Sequence, residues 1–367
     1  ATPGSGDLYV GGTWRTWLVG GLGPARNENG AVGDDRTAVS GAIYALDVTD
    51  PSGFSEGGAS AIVKGEWNSA SISCTNHGSC GAHLGAVVGT PAIRRLHDGS
   101  WAALFGNGMN SSAGSAGLFI MRVAPATGAI SFRYLDTGAA GGESKNGIAN
   151  VTPVDLDGDH ITDYVYAGDR HGNIWRFDLT SADPARWSAD ATPLFSAPGR
   201  PITGKVAVAS VPGRGVGALP RVVVAFGTGE KREQTLASAA TYAAGEQALY
   251  GVWDARFDDW NSRTRTGARY ASLPSAPTVS PAQLLAQSVG ERASAAGDVR
   301  TVTRVDVCWK GGNACAGSNE HMGWSVPLGN GEQAFYNPVL AYGMFLINTL
   351  VPEQSDPLTC ERRTGPR

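Results

Sequence analysis

The chain has 367 residues, 42% hydrophobic and 17% charged, with 51 glycines, 20 prolines and a formal net charge of −4. This apolar content excludes a wholly disordered chain, and the mildly acidic balance, with no basic stripe, argues against nucleic-acid and anionic-membrane partners. The most apolar run, Val339 to Val351, is about 13 residues long, too short to cross a bilayer as a helix, so no membrane insertion is expected.

Taken in chain order, one pattern recurs. An apolar strand ends in Gly-x-Gly or Gly-Asp, a loop follows, and a second apolar strand ends in Asp or its equivalent. Trp17 to Gly21 pairs in this way with Ala42 to Asp47, and Ala102 to Gly108 pairs with Gly117 to Val123. Val165 to Asp169 pairs with Gly172 to Asp178, and Val222 to Gly229 with Ala248 to Asp254. Asn337 to Leu340 with Met344 to Asn348 is a degenerate fifth copy. Further short strands precede three of the pairs, at Gly89–Ile93, Val151–Val154 and Gly204–Val208. Three or four strands per unit, repeated about every 60 residues, predict propeller blades, in which neighbours cover each sheet's apolar faces. Trp17, Trp101, Trp175 and Trp253 lie in or beside these strands and read as packing between blades.

The five cysteines fall as two close pairs, Cys74 with Cys80 and Cys308 with Cys315, and a lone Cys360. Short spacings in glycine-rich loops predict two disulfides and an oxidising compartment. Cys74, His77, Cys80 and His83 also recur at three-residue intervals. Four ligands within ten residues would crowd a tetrahedral zinc, and no second pair arrives from elsewhere, so the disulfide reading prevails. The chain opens at Ala1-Thr2-Pro3, without an initiator methionine or signal segment. With the unpaired Cys360, that points to a fragment of a longer, processed, secreted protein, in which 1–367 forms a single propeller-like domain with an irregular tail at 352–367.

The strongest chemical signal is Asp155-Leu156-Asp157-Gly158-Asp159-His160-Ile161-Thr162-Asp163. Four carboxylates at positions 1, 3, 5 and 9 of a tight loop repel one another unless a cation sits among them. Calcium, a hard ion with six to eight oxygen ligands in flexible geometry, is the natural candidate. Asp155, Asp157 and Asp159 would donate side-chain oxygens, Ile161 its backbone carbonyl, and Asp163 would close the shell. Gly158 allows the sharp bend. Position 6 is His160 and position 12 is Tyr166, so this is no EF-hand. The β-branched and aromatic run from Tyr164 to Gly168 reads as a strand. Asn27-Glu28-Asn29-Gly30 with Asp34 and Asp35 is a weaker second candidate, its ligand alternation broken by Ala31.

Other chemistry finds less support. Gly199 to Lys205 has the spacing of a phosphate loop, but Val206 stands where a magnesium-binding Ser or Thr belongs. His97, His160, His171 and His321 lie in polar or glycine-rich turns and read as solvated turn residues.

Gly12 to Gly23, Ile43 to Pro51, Phe105 to Gly108, Asp155 to Asp163, Tyr166 to Asp169, Gly172 to Leu179, Phe226 to Gly229, Tyr250 to Asp254 and Asn337 to Leu340 together resemble the C-terminal domain of the PilC/PilY family. These are tip-associated biogenesis proteins and adhesins of type IV pili, and the segments run in family order over nearly the whole chain. The resemblance implies an all-β fold, a modified β-propeller of about seven blades in a complete or incomplete ring, with one calcium loop between strands. It carries the Ca2+ ligands over to Asp155, Asp157, Asp159, Ile161 and Asp163. It also implies a non-enzymatic role in pilus extension versus retraction, surface attachment and twitching motility. The implied partners are pilin subunits or minor pilins and a host-cell or surface receptor, at the pilus tip or outer-membrane surface after export through the periplasm. Two alternatives belong to other classes. Ala124 to Ile130 resembles the turn of quinone-propeller repeats, which would make the chain a quinoprotein dehydrogenase, although no adjacent cysteine pair supports it. The other is a carbohydrate-binding propeller.

Overall fold

A computed structural model describes residues 2–23, 41–141, 145–214, 217–232, 241–264, 266–294, 297–312, 315, 319–329 and 331–352. The fold is all-β, as the sequence predicts. The chain divides into two compact units, Ala1–Arg170 with Ile174–Pro193, and His171–Asn173 with Leu194–Arg367.

The first unit is built from antiparallel meanders. Strands β1 (Gly4–Val10), β2 (Thr13–Gly21), β3 (Ala42–Asp47) and β4 (Val63–Asn68) form one sheet in sequential order. Strands β5 (Ala92–Arg95), β6 (Trp101–Gly106), β7 (Ser115–Val123) and β8 (Ile130–Ala140) form the next, also in order. The third contains β9 (Ile148–Val154), β10 (Tyr164–Asp169), β11 (Asn173–Asp178) and β12 (Ser188–Ala189). The predicted pairs are the central ladders: Val19 faces Ala45, Leu104 faces Ile120, and Ala167 faces Trp175.

Strand alternation explains why these central strands read as unbroken apolar runs. Successive side chains point to opposite faces, and the second sheet is covered on both. Phe105, Phe119 and Met121 join Trp17, Val19 and Ile43 in one core cluster. Their sequence neighbours Leu104, Leu118 and Ile120 join Val165, Trp175 and Phe177 in another. Burying such a side chain contributes about 1.5–3 kcal/mol each, so face-to-face stacking of small sheets supplies a core that no single sheet could. Trp17, Trp175 and Trp253 are buried, in keeping with a packing role.

In the second unit, Ala207–Val211, Arg221–Gly227, Gln247–Asp254, Gly323–Leu328 and Leu285–Ala286 form a five-stranded sheet in that spatial order. The rings of Phe195, Phe226 and Tyr250 lie 4.9–5.4 Å apart at its core. The degenerate fifth repeat is a separate hairpin, Val339–Ala341 against Met344–Leu346. Gly199 to Lys205 leads into the strand Ala207–Val211 rather than a helix, against a phosphate loop. Both predicted disulfides form, Cys74–Cys80 and Cys308–Cys315. Cys360, the tail from 353 onward, and the Asn27–Asp35 candidate lie outside the described residues. Among the described residues, no helix is long and apolar enough to cross a membrane.

Three of the repeat's central strands end on a buried polar side chain. Asn107, Asp169 and Thr228 are each fully inaccessible to solvent. Asn107 donates to the carbonyls of His83 and Ser115 at 2.9 and 2.8 Å and accepts from the amides of Gly117 and Ile148 at 3.1 and 3.0 Å. Asp169 accepts from the Asn146 amide and the Trp175 indole at 2.9 and 2.8 Å. Thr228 accepts from the Ala248 amide at 2.9 Å. Gly106 precedes Asn107 for a steric reason: a Cβ there would lie 2.2 Å from the Ile148 carbonyl oxygen.

Candidate metal centre

The acidic loop connects β9 to β10 and is closed at its base by their ladder. Tyr164 faces Val154, and the Asp163 amide donates to the Val154 carbonyl at 2.9 Å. Within the loop, short polar side chains bond the backbone that follows them. Asp155 accepts from the amides of Gly158 and His160 at 2.7 and 2.8 Å, and Asp159 accepts from the Ile161 amide at 2.8 Å. These contacts curl the chain, with Gly158 at φ +81° and His160 at φ +65°. Gly158 meets the left-handed requirement without strain.

The curl brings Asp155, Asp157 and Asp159 together at the surface, with a carboxylate oxygen of each within 4.8 Å of the others. At 4–5 Å in water, each like-charged pair repels by about 1 kcal/mol. A donor set of oxygens alone fits a hard cation such as calcium rather than a thiophilic one. Ile161 is half-buried beside the trio, and the next amide, Thr162, donates to the Arg95 carbonyl at 2.9 Å.

Asp163 is placed differently. It is fully buried, accepts from the Leu156 amide at 2.7 Å, and lies 2.8 Å from the His97 ring Nε2. Three of the four predicted carboxylates therefore converge, while the fourth stitches the loop to the turn after β5. His97 departs from the sequence reading of a solvated turn residue. Its hydrogen bond to Asp163, aided by the charges of Asp163, Asp159 and Asp157, holds its pKa above that of a free imidazole, against the pull of burial. No local spacing could reveal this partnership, because 66 positions separate the two residues.

Stacked four-stranded antiparallel sheets with a carboxylate loop between two strands define the class, an all-β protein of β-propeller blades. The chain belongs to the PilY1 family: the family model described as the PilY1 beta-propeller domain matches residues 32–271. It is 31% identical over 371 residues to the type IV pilus biogenesis factor PilY1 homolog of Xylella fastidiosa (strain Temecula1), an alignment covering 94% of this chain and 21% of that protein. Against type IV pilus biogenesis factor PilY1 of Pseudomonas aeruginosa (strain PAO1) the identity is 28%, covering 97% of this chain and 29% of that one. The chain thus spans less than a third of these relatives. The crystal structure of the Pseudomonas aeruginosa PilY1 C-terminal domain superposes with a TM-score of 0.67 at 26% identity, covering 96% of this chain and 68% of that one.

Proposed function

We propose that this chain is the calcium-responsive, non-enzymatic propeller domain of a type IV pilus biogenesis factor and tip adhesin. In this reading it is exported through the periplasm and engages pilin subunits or minor pilins, together with a surface receptor. The observation that carries it is the convergence of Asp155, Asp157 and Asp159 on a loop between two strands of one blade. A calcium ion there would neutralise half of the loop's four negative charges, with the Ile161 carbonyl and Asp163 completing the oxygen set.

The loop also has a route by which occupancy is felt elsewhere. Asp163 and Thr162 bond to His97 and the Arg95 carbonyl, so a change in loop geometry bears on the β5–β6 turn of the neighbouring sheet. Removing that link weakens the ion site: His97→Ala leaves Asp163 without its imidazole partner and lowers calcium affinity about 10–100-fold. Isothermal calorimetry on the variant checks this, and an unchanged affinity would show that His97 does not support the loop.

The functional reading is tested in cells. In the full-length protein, Asp157→Ala removes the response of surface pilus number and twitching to added calcium, while the protein is still exported. A variant whose piliation follows calcium as the wild type does would end the proposal, even if the purified domain binds the ion.

A further inference from the structure

A second cluster of candidate ligands sits in the first unit, away from the acidic loop. The Cys74–Cys80 disulfide closes a tight turn with His77 at its tip. The turn is pinned to β8: the Thr75 amide donates to the Phe132 carbonyl at 2.9 Å, and Asn76 exchanges two hydrogen bonds with the Tyr134 backbone, at 2.8 and 3.1 Å. Two residues along the same strand, and so on the same face, stands Asp136. His83 closes the 3-10 turn that begins at Cys80.

The three side chains meet. His77 and His83 pack edge to face with ring centroids 4.8 Å apart, and His83 Nδ1 lies 3.9 Å from an Asp136 carboxylate oxygen. One ligand atom from each of His77, His83 and Asp136 falls within 4.8 Å of the others. His83 is buried and oriented by the Ser115 hydroxyl 2.7 Å from Nδ1. The Nδ1 of His77 is buried and has no hydrogen-bond partner among the described residues. A buried imidazole nitrogen without a partner is unusual, and a metal is one partner that would satisfy the cluster.

We propose that His77, His83 and Asp136 form a zinc site distinct from the acidic loop. Two imidazoles and one carboxylate are the donor set of a borderline ion, with an open position for water. Calcium prefers oxygen donors throughout and disfavours such a site. Zinc–ligand distances place neighbouring ligand atoms about 3.3 Å apart in a tetrahedron, and the exposed Asp136 has the freedom to swing inward. The cysteines of the same segment are locked in their disulfide and supply no thiolate. Zinc would fasten the disulfide turn to β8 and stiffen that face of the blade.

The test titrates the untagged full chain with zinc chloride in excess calcium, in a Cys360→Ser background that removes the one cysteine outside the two pairs. One zinc binds per chain, and cobalt in its place gives the visible absorption of a tetrahedral N/O site. Asp136→Asn, a change at an exposed position that leaves the fold intact, lowers zinc affinity at least about tenfold, and His77→Ala lowers it further. Asp157→Ala, which strikes only the acidic loop, leaves zinc binding unchanged. No binding by the wild-type chain at about 0.1 mM zinc, well above the dissociation constants of structural zinc sites, would overturn the proposal. So would wild-type affinity in both Asp136→Asn and His77→Ala.

Discussion

Asp157→Ala is expected to abolish calcium binding by the purified chain and to leave its sheets folded. The substitution deletes one of three converging carboxylates, and with it a ligand and part of the negative field that holds a dication. Calcium loops of this kind bind between about 10⁻⁷ and 10⁻³ M, and the loss of a central ligand shifts even a tight site by about 100-fold or more, toward the weak end of that range. The core does not register the change, because neither hydrophobic cluster includes a residue of the loop. The loop's base stays closed through the Asp163 amide on Val154 and the Leu179 amide on the Asp163 carbonyl. Thermal unfolding then gives a signature specific to the ion. The wild-type chain gains about 2.7 kcal/mol when calcium stands at 100 times its dissociation constant, and the variant gains about 0.4 kcal/mol or less at the same concentration. Without calcium the variant is no less stable than the wild type, since mutual repulsion in the loop has been relieved. Undiminished calcium binding by calorimetry would reject the site. Asp163→Ala provides the contrast. It removes a carboxylate proposed to complete the oxygen set, and it also deletes that carboxylate's bonds to the Leu156 amide and the half-buried His97, so it loses about 1–3 kcal/mol of stability with or without calcium.

What the sequence disclosed follows from how far each interaction reaches along the chain. Runs such as Ala103 to Phe105, Leu118 to Met121 and Val222 to Phe226 announce strands because both of their faces are buried, so every position must be apolar. The outer strands β1, β4 and β8 fall outside the predicted pairs. Val63-Lys64-Gly65-Glu66-Trp67-Asn68 is exposed or half-exposed at every position and carries no periodic signal. Strand β8 alternates only weakly over its second half. The acidic loop is legible because its carboxylates are local. Its support by His97, and the meeting of His77 and His83 with Asp136, depend on sheet register across dozens of residues, which spacing does not encode. The three-residue interval of Cys74, His77, Cys80 and His83 marks a segment whose side chains do meet one another. It mixed two kinds of partnership, a disulfide between the cysteines and a ring contact between the histidines, and the residue that joins the histidines arrives from a strand 53 positions beyond His83.

The same distinction gives Asn107→Ala a large expected cost. Asn107 stands where the sequence shows only the x of a Gly-x-Gly, yet its amide serves four backbone groups from three separate segments: His83, the start of β7, and the first residue of β9. Alanine leaves two carbonyls and two amides without partners in a dry interior, where each orphan costs about 1–3 kcal/mol. Local relaxation and overlap among the four make the sum less than additive, so the loss is about 4–5 kcal/mol, at the upper end for single substitutions. Domain stabilities lie near 5–15 kcal/mol, so the urea midpoint falls sharply and the chain approaches unfolding. Asn107→Asp does not rescue it: the carboxylate still accepts from Gly117 and Ile148 but turns an acceptor toward two carbonyl oxygens. Thr228→Val at the matching position of the second unit forfeits a short bond from the Ala248 amide and a longer one, 3.3 Å, to the Ala248 carbonyl, and loses only about 1–2 kcal/mol. Equilibrium urea unfolding of the three variants ranks them. A shift for Asn107→Ala no larger than that for Thr228→Val would show that the repeat's glycines, which let Gly106 pass under the Ile148 carbonyl, hold the strand ends together without the polar residue between them.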